Sequence, residues 1–121
     1  LPDEREMLRD EMINMADNLG VDLILTTGGT GFSKRDVTPE ATKDVIEKEA
    51  LGIPEAIRSY SMTITKRAML SRATAGIRKD TLIVNMPGSP KACREVMDYI
   101  LDDLKHGIDI LKGDARECAR K

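Results

Sequence analysis

The chain has 121 residues and a mass of 13.4 kDa, with 40% hydrophobic and 33% charged residues. That size and mixture describe one folded domain and exclude an intrinsically disordered chain. Net charge is −2, and the aromatic residues are Phe32, Tyr60 and Tyr99. There is neither the basic surface nor the stacking platform that a nucleic-acid reader needs. Residues 1–60 carry 7 basic and 13 acidic side chains, and residues 61–121 carry 12 and 8, a contrast that solvated helix faces accommodate. No apolar run approaches the ~20 residues that span a bilayer, and no signal-peptide pattern opens the chain. Cys93 and Cys118 make neither a disulfide framework nor a metal site, so a reducing cytoplasm is expected.

In chain order, a helix is predicted from Glu4 to Asn18, capped by Asp3. Leu8, Met12, Met15, Ala16 and Leu19 share its apolar face, and Gly20 stops it. Val21 to Thr26 reads as a buried strand and Thr27 to Asp36 as a Gly-rich loop. A second helix starts at Thr38-Pro39-Glu40, with Thr38 as cap, and Gly52 ends it. Its inner stripe is Ala41, Thr42, Val45 and Ile46. A shorter helix near Pro54 buries Ile57. Ala73–Ile77 and Thr81–Asn85 read as a hairpin around Lys79-Asp80. Ser89-Pro90 opens a last helix, whose stripe runs through Cys93, Val96, Met97, Ile100, Leu101, Leu104 and Ile108. Helices alternating with buried strands predict an α/β domain of three layers, α/β/α. Residues 112–121 read as a charged, frayed end.

Three segments carry candidate chemistry. Thr26-Thr27-Gly28-Gly29-Thr30-Gly31 follows a buried strand, where ligands of open α/β sheets sit. Glycines there let backbone N–H groups turn onto an anion, and threonine hydroxyls add donors. It is neither a Walker loop nor GxGxxG, and an ordinary strand-exit loop is the plainer alternative. In Lys34-Arg35-Asp36-Val37-Thr38-Pro39, the two cations can neutralise phosphate. Asp36 either caps the turn or holds Mg²⁺ against a substrate phosphate. Asn85-Met86-Pro87-Gly88-Ser89-Pro90-Lys91 also leaves a strand and opens a helix. Ser89 is a cap or a ligand contact. Lys91 sits against the helix dipole, which suits it to an anion. His106 and Cys93 read as ordinary helix residues and Cys118 as part of the tail.

Together TTGGTG, KRDVTPEAT, AMLSRATAG and TLIVNMPGSPK resemble the molybdopterin adenylyltransferases of molybdenum cofactor biosynthesis, in order from Leu1 to about Gly113. Related molybdenum-insertion proteins carry a PGNP-like second motif, and the competence-damage-inducible relatives carry TGG-x-GPT-x-DD-x-T. The resemblance implies a molybdopterin-binding-domain-like fold with a mostly parallel sheet, assembled as a homotrimer. It implies Mg²⁺- and ATP-dependent transfer of AMP to molybdopterin with release of pyrophosphate. Residue by residue, it implies catalytic and Mg²⁺-holding roles for Asp3 and Asp36. Substrate contacts are implied at Thr27, Gly28, Gly29, Thr30 and Gly31, and at Gly88, Ser89 and Lys91. Family members begin with a further strand–helix–strand that these 121 residues do not contain. Residues 1–113 are thus expected to form the domain without that unit, and residues 114–121 a charged tail. The alternative function is a trimeric module that binds molybdopterin or a partner without chemistry.

Overall fold

The computed structural model describes residues 2–113, with side chains from Glu4 onward. The element order is α1 (Pro2–Ile13), a π-helical turn (Asn14–Asn18), β1 (Leu23–Thr27), α2 (Thr38–Val45), β2 (Lys48–Glu49), α3 (Gly52–Met62), a 3₁₀ turn (Lys66–Leu70), β3 (Ala75–Arg78), β4 (Thr81–Met86) and α4 (Pro90–Leu111). The strands form one sheet in the order β1-β4-β3-β2.

Strand β4 is the centre, and all six of its residues are buried. Its alternation supplies both faces. Leu82, Val84 and Met86 pack with Ile57 of α3 and with Val96, Ile100 and Leu104 of α4. Ile83 packs on the other face with Met12 of α1 and with Ala41 and Val45 of α2. Helices therefore cover both sides, giving the expected α/β/α layers. Across the α3–α4 contact, the Tyr60 and Tyr99 rings stack with centroids 4.4 Å apart.

The described sheet is mixed. Strands β1 and β4 run parallel, while β3 is antiparallel to both β4 and β2. The physical cause is the two-residue connection Lys79-Asp80, which can join only antiparallel neighbours. Lys79 adopts φ 51°, a conformation uncommon for a non-glycine residue. Arg78 is held on the same side by a bidentate pair to Asp17, at 3.0 and 2.8 Å.

Several helix ends differ from the sequence expectation. α1 begins at Pro2, so Asp3 stands inside the first turn and does not precede it as a cap. Its side chain lies outside the described residues. The π turn shifts the helical phase: Leu19 N–H bonds to Asn14 O five residues back. Leu19 is thereby rotated off the apolar face and is exposed. Thr38 is the first residue of α2, and Val37 occupies the cap position. α2 stops at Val45 because Ile46 turns extended, and Gly52 begins α3 and does not end α2. Ser89 does cap α4, its hydroxyl accepting Ala92 N–H at 3.4 Å.

Candidate functional site

The site follows from one pairing in the sheet. β1 and β4 are adjacent and parallel, with Thr27 opposite Met86. The Gly-rich loop and the Pro87-Gly88-Ser89 turn therefore leave the sheet side by side, at its carboxyl end. Gly28 N–H donates to Met86 O at 3.2 Å. Beyond that bond the two glycines touch. A Cβ on Gly88 would lie 3.1 Å from Gly28 Cα, closer than side chains normally pack against backbone. Gly28 and Gly29 have φ of 77° and 70°, which only glycine adopts at low cost. Any Cβ on Gly29 would also collide with the Thr38 hydroxyl. The glycine density of this loop is thus explained by close approach and backbone conformation together.

Each glycine borders a cavity. The first, about 790 Å³, is lined by Thr27, Gly28, Gly29, Arg35 and Thr38, with Glu4 and Glu11 from α1. The second, about 310 Å³, is lined by Thr30, Arg58, Arg67, Ser71, Gly88 and Ser89. Both carry guanidinium and hydroxyl groups, and only the first is also edged with carboxylates. A third and largely apolar cavity of about 490 Å³ lies toward the start of β4, among Ile53, Ile77, Leu82, Tyr99 and Leu104. It borders none of the glycine-loop residues.

The sequence-predicted residues divide accordingly. Thr27, Gly28 and Gly29 meet Arg35 at the larger cavity, and Thr30, Gly88 and Ser89 meet at the smaller one. Gly31 lines neither; its Cα lies against the Asp36 carboxylate, where a Cβ would stand 2.8 Å from Oδ2. Lys34 and Lys91 are exposed and border neither cavity. Asp36 is half-buried, and its Oδ2 accepts Ser33 N–H at 3.0 Å. Its Oδ1 accepts no hydrogen bond among the described residues.

Among the described residues, no group of three or more His, Cys, Asp or Glu side chains could hold a metal by itself. Mg²⁺ bound with nucleotide phosphates does not need such a cage, since one or two carboxylates and the phosphates suffice. Asp36 has one carboxylate oxygen available for that, although it borders neither cavity.

Two structural features of this sheet edge escaped the sequence reading. Arg72 joins the Gly loop to the start of α2. Its Nε donates to Gly31 O at 2.8 Å and its Nη2 to Asp36 O at 2.7 Å. Its Nη1 donates to Glu40 Oε2 at 2.6 Å. The guanidinium holds the Glu40 carboxyl below the usual carboxylate range, opposed by burial. Below the loop, Asn85 is fully buried. Its Oδ1 accepts Thr74 N–H, and its Nδ2 donates to the Thr26 and Thr42 hydroxyls. An arginine preceding the small-residue run Ala73-Thr74-Ala75-Gly76, and an asparagine within an otherwise apolar stretch of strand, were the available signals.

The family described as "Probable molybdopterin binding domain" matches residues 1–106. This chain belongs to that family. Within the molybdopterin-binding-domain family it is 40% identical over 119 residues to the molybdopterin adenylyltransferase of Helicobacter pylori strain J99, covering 98% of this chain and 68% of the relative. It is also 40% identical to the Escherichia coli K12 molybdopterin adenylyltransferase, covering 89% of this chain and 57% of that protein. The chain thus spans little more than half the length of the E. coli relative. Among solved structures, the molybdopterin biosynthesis enzyme MoaB of Thermus thermophilus superposes with a TM-score of 0.84 at 44% identity, covering 92% of this chain and 70% of that one. The α/β/α layers and the mixed sheet are those of this family.

Proposed function

We propose that the protein acts in molybdenum cofactor biosynthesis as a molybdopterin adenylyltransferase. An oxygen of molybdopterin's terminal phosphate attacks the α-phosphorus of ATP, a P–O–P bond forms, and pyrophosphate leaves with the electrons of the broken bond. The observation that carries this reading is the Gly28–Gly88 contact: two glycine turns, from adjacent parallel strands, meet at one sheet edge and each borders a cavity. Two substrates need two spaces, and the touching turns place one on each side of the same sheet edge.

Among the described residues, no side chain at this edge pairs a nucleophile with a base, so the rate is assigned to positioning and electrostatics. Gly28 N–H is taken by Met86 O, which leaves the backbone N–H of Gly29 to donate to a phosphate oxygen. Ser89 can donate its hydroxyl at the positive end of α4. Arg35 at one cavity and Arg67 at the other offset substrate charge. Asp36 and Asp3 would hold Mg²⁺, which when bound neutralises charge on the triphosphate as the α-phosphorus is attacked. Lys91 and Gly31 enter as outer contacts of the same loops.

In this reading residues 1–113 are the working domain and residues 114–121 a tail, the assembly is a homotrimer and its home is the cytoplasm. A second reading, a trimeric module that binds molybdopterin without chemistry, draws on one observation. The Asp36 carboxylate already serves its own loop through Ser33. The complete protein decides between them when given molybdopterin, ATP and Mg²⁺. Adenylylated molybdopterin and an equal amount of pyrophosphate are expected, whereas tight molybdopterin binding without pyrophosphate supports the module.

A further inference from the structure

The Gly loop is anchored in an unusual way. No residue from Thr30 to Val37 belongs to either core cluster. Phe32, Ser33, Lys34 and Arg35 are all exposed. Apolar burial therefore does not set the loop's shape. Polar bonds do: Ser33 and Asp36 bond one another within the loop, and three bonds from outside it come from one residue. Arg72 donates through its backbone N–H to Thr30 O at 2.8 Å. Its guanidinium reaches Gly31 O, Asp36 O and both Glu40 oxygens, the last at 2.6 and 3.3 Å. The arginine is itself braced: Arg58 Nη1 bonds Ser71 O at 3.3 Å and Ala73 O at 2.8 Å, on either side of it.

We propose that Arg72 is a positioning residue that fixes the shape of the Gly loop and the placement of Asp36 without touching either substrate. The loop ring closes at four points: Thr38 N–H to Gly29 O, and Arg72 to residues 30, 31 and 36. Three of the four depend on one residue. A planar fork of five N–H donors can satisfy a carboxylate and two carbonyls at once, and a lysine ammonium cannot. The Arg72 side chain is 35% exposed, so its ion pair with Glu40 adds little to global stability. Its effect is local: it decides where the Asp36 backbone sits relative to the Gly28–Gly88 contact.

What the loop positions rests on the adenylyl-transfer reading; that Arg72 holds the loop does not. The test is Arg72→Lys in the complete protein, read by steady-state kinetics and by amide hydrogen exchange. Because a misplacement near 1 Å costs on the order of 10²-fold, kcat should fall by about that factor with the KM for both substrates little changed. Amides of residues 30–38 should exchange faster while those of β4 keep their protection. Glu40→Gln should move both readouts the same way by less, and it serves if Arg72→Lys fails to fold. Unchanged loop exchange with a kcat close to wild type overturns the proposal. So does exchange that rises equally through β4, which marks general destabilisation. A raised KM with unchanged kcat overturns it too, making Arg72 a substrate contact. Wild-type protein that transfers no AMP overturns the adenylyltransferase reading alone, and the loop exchange still decides Arg72.

Discussion

Gly28 and Gly88 lie backbone to backbone, with 3.1 Å between Gly28 Cα and the point where a Gly88 Cβ would stand. They come from strands related by a parallel pairing and are sixty residues apart in the chain. Gly28 borders one cavity and Gly88 the other, so the contact lies between the two.

Replacement of Gly88 by alanine should therefore act on turnover more than on stability. The added methyl group meets Gly28 at less than ordinary contact distance and must push the turns apart by a few tenths of an ångström. A drop in kcat of about 10-fold or more, with a melting temperature near that of wild type, is expected. Gly107→Ala is the opposite case. Gly107 lies inside α4 with nothing within 4 Å of a Cβ. Alanine there should stabilise by about 0.5–1 kcal/mol, measured by urea unfolding.

Asn85→Ala should be among the costliest single changes in the protein. It leaves Thr74 N–H without its acceptor and the Thr26 and Thr42 hydroxyls without their donor, in a fully buried place. Unsatisfied buried groups and the vacated volume together imply a loss of about 3 kcal/mol or more. A denaturation midpoint equal to that of wild type would refute this account of the network.

Acid should weaken the hairpin anchor. The Arg78 guanidinium, with Lys79 beside it, holds the Asp17 carboxyl below its ordinary value against the opposing effect of burial. A carboxyl depressed in the folded state contributes stability above its unfolded value of about 4, and that contribution is lost as pH falls through the folded value. The gap in melting temperature between wild type and Asp17→Asn should be widest near neutrality and close on acidification. A gap that is constant with pH would contradict the linkage.

Much of this architecture was legible because its signals are local. The Gly loop announces itself by residues that only special backbone conformations require, and Ser89-Pro90 marks a helix start that forms as read. The Lys79-Asp80 hairpin forms as well, although Lys79 needs a positive φ. The misread positions share a different cause. Thr38 carries the sequence mark of a cap, yet its hydroxyl sits against Gly29, a tertiary constraint. Leu19 keeps helical spacing, but the π turn changes the phase beneath it. Lys48–Glu49 and Lys66–Leu70 are too short to give a periodic signal. Arg72 reaches partners 32 to 41 residues away, and no spacing rule connects them.

Asp36→Asn keeps the size and a carbonyl oxygen but removes the charge that would hold Mg²⁺ to the triphosphate. The variant should fold and bind molybdopterin, with AMP transfer reduced by about 10²-fold or more. Near-normal turnover in the folded variant at saturating Mg²⁺ would remove Asp36 from the mechanism.

An adenylyltransferase moves the α-phosphoryl group of ATP, as AMP, to molybdopterin. ATP labelled at its α-phosphorus, incubated with Mg²⁺, molybdopterin and the complete protein, measures that directly. Label should appear on molybdopterin, and a γ-label should leave with pyrophosphate. A γ-label on molybdopterin, or no label transferred by folded protein, would contradict the account.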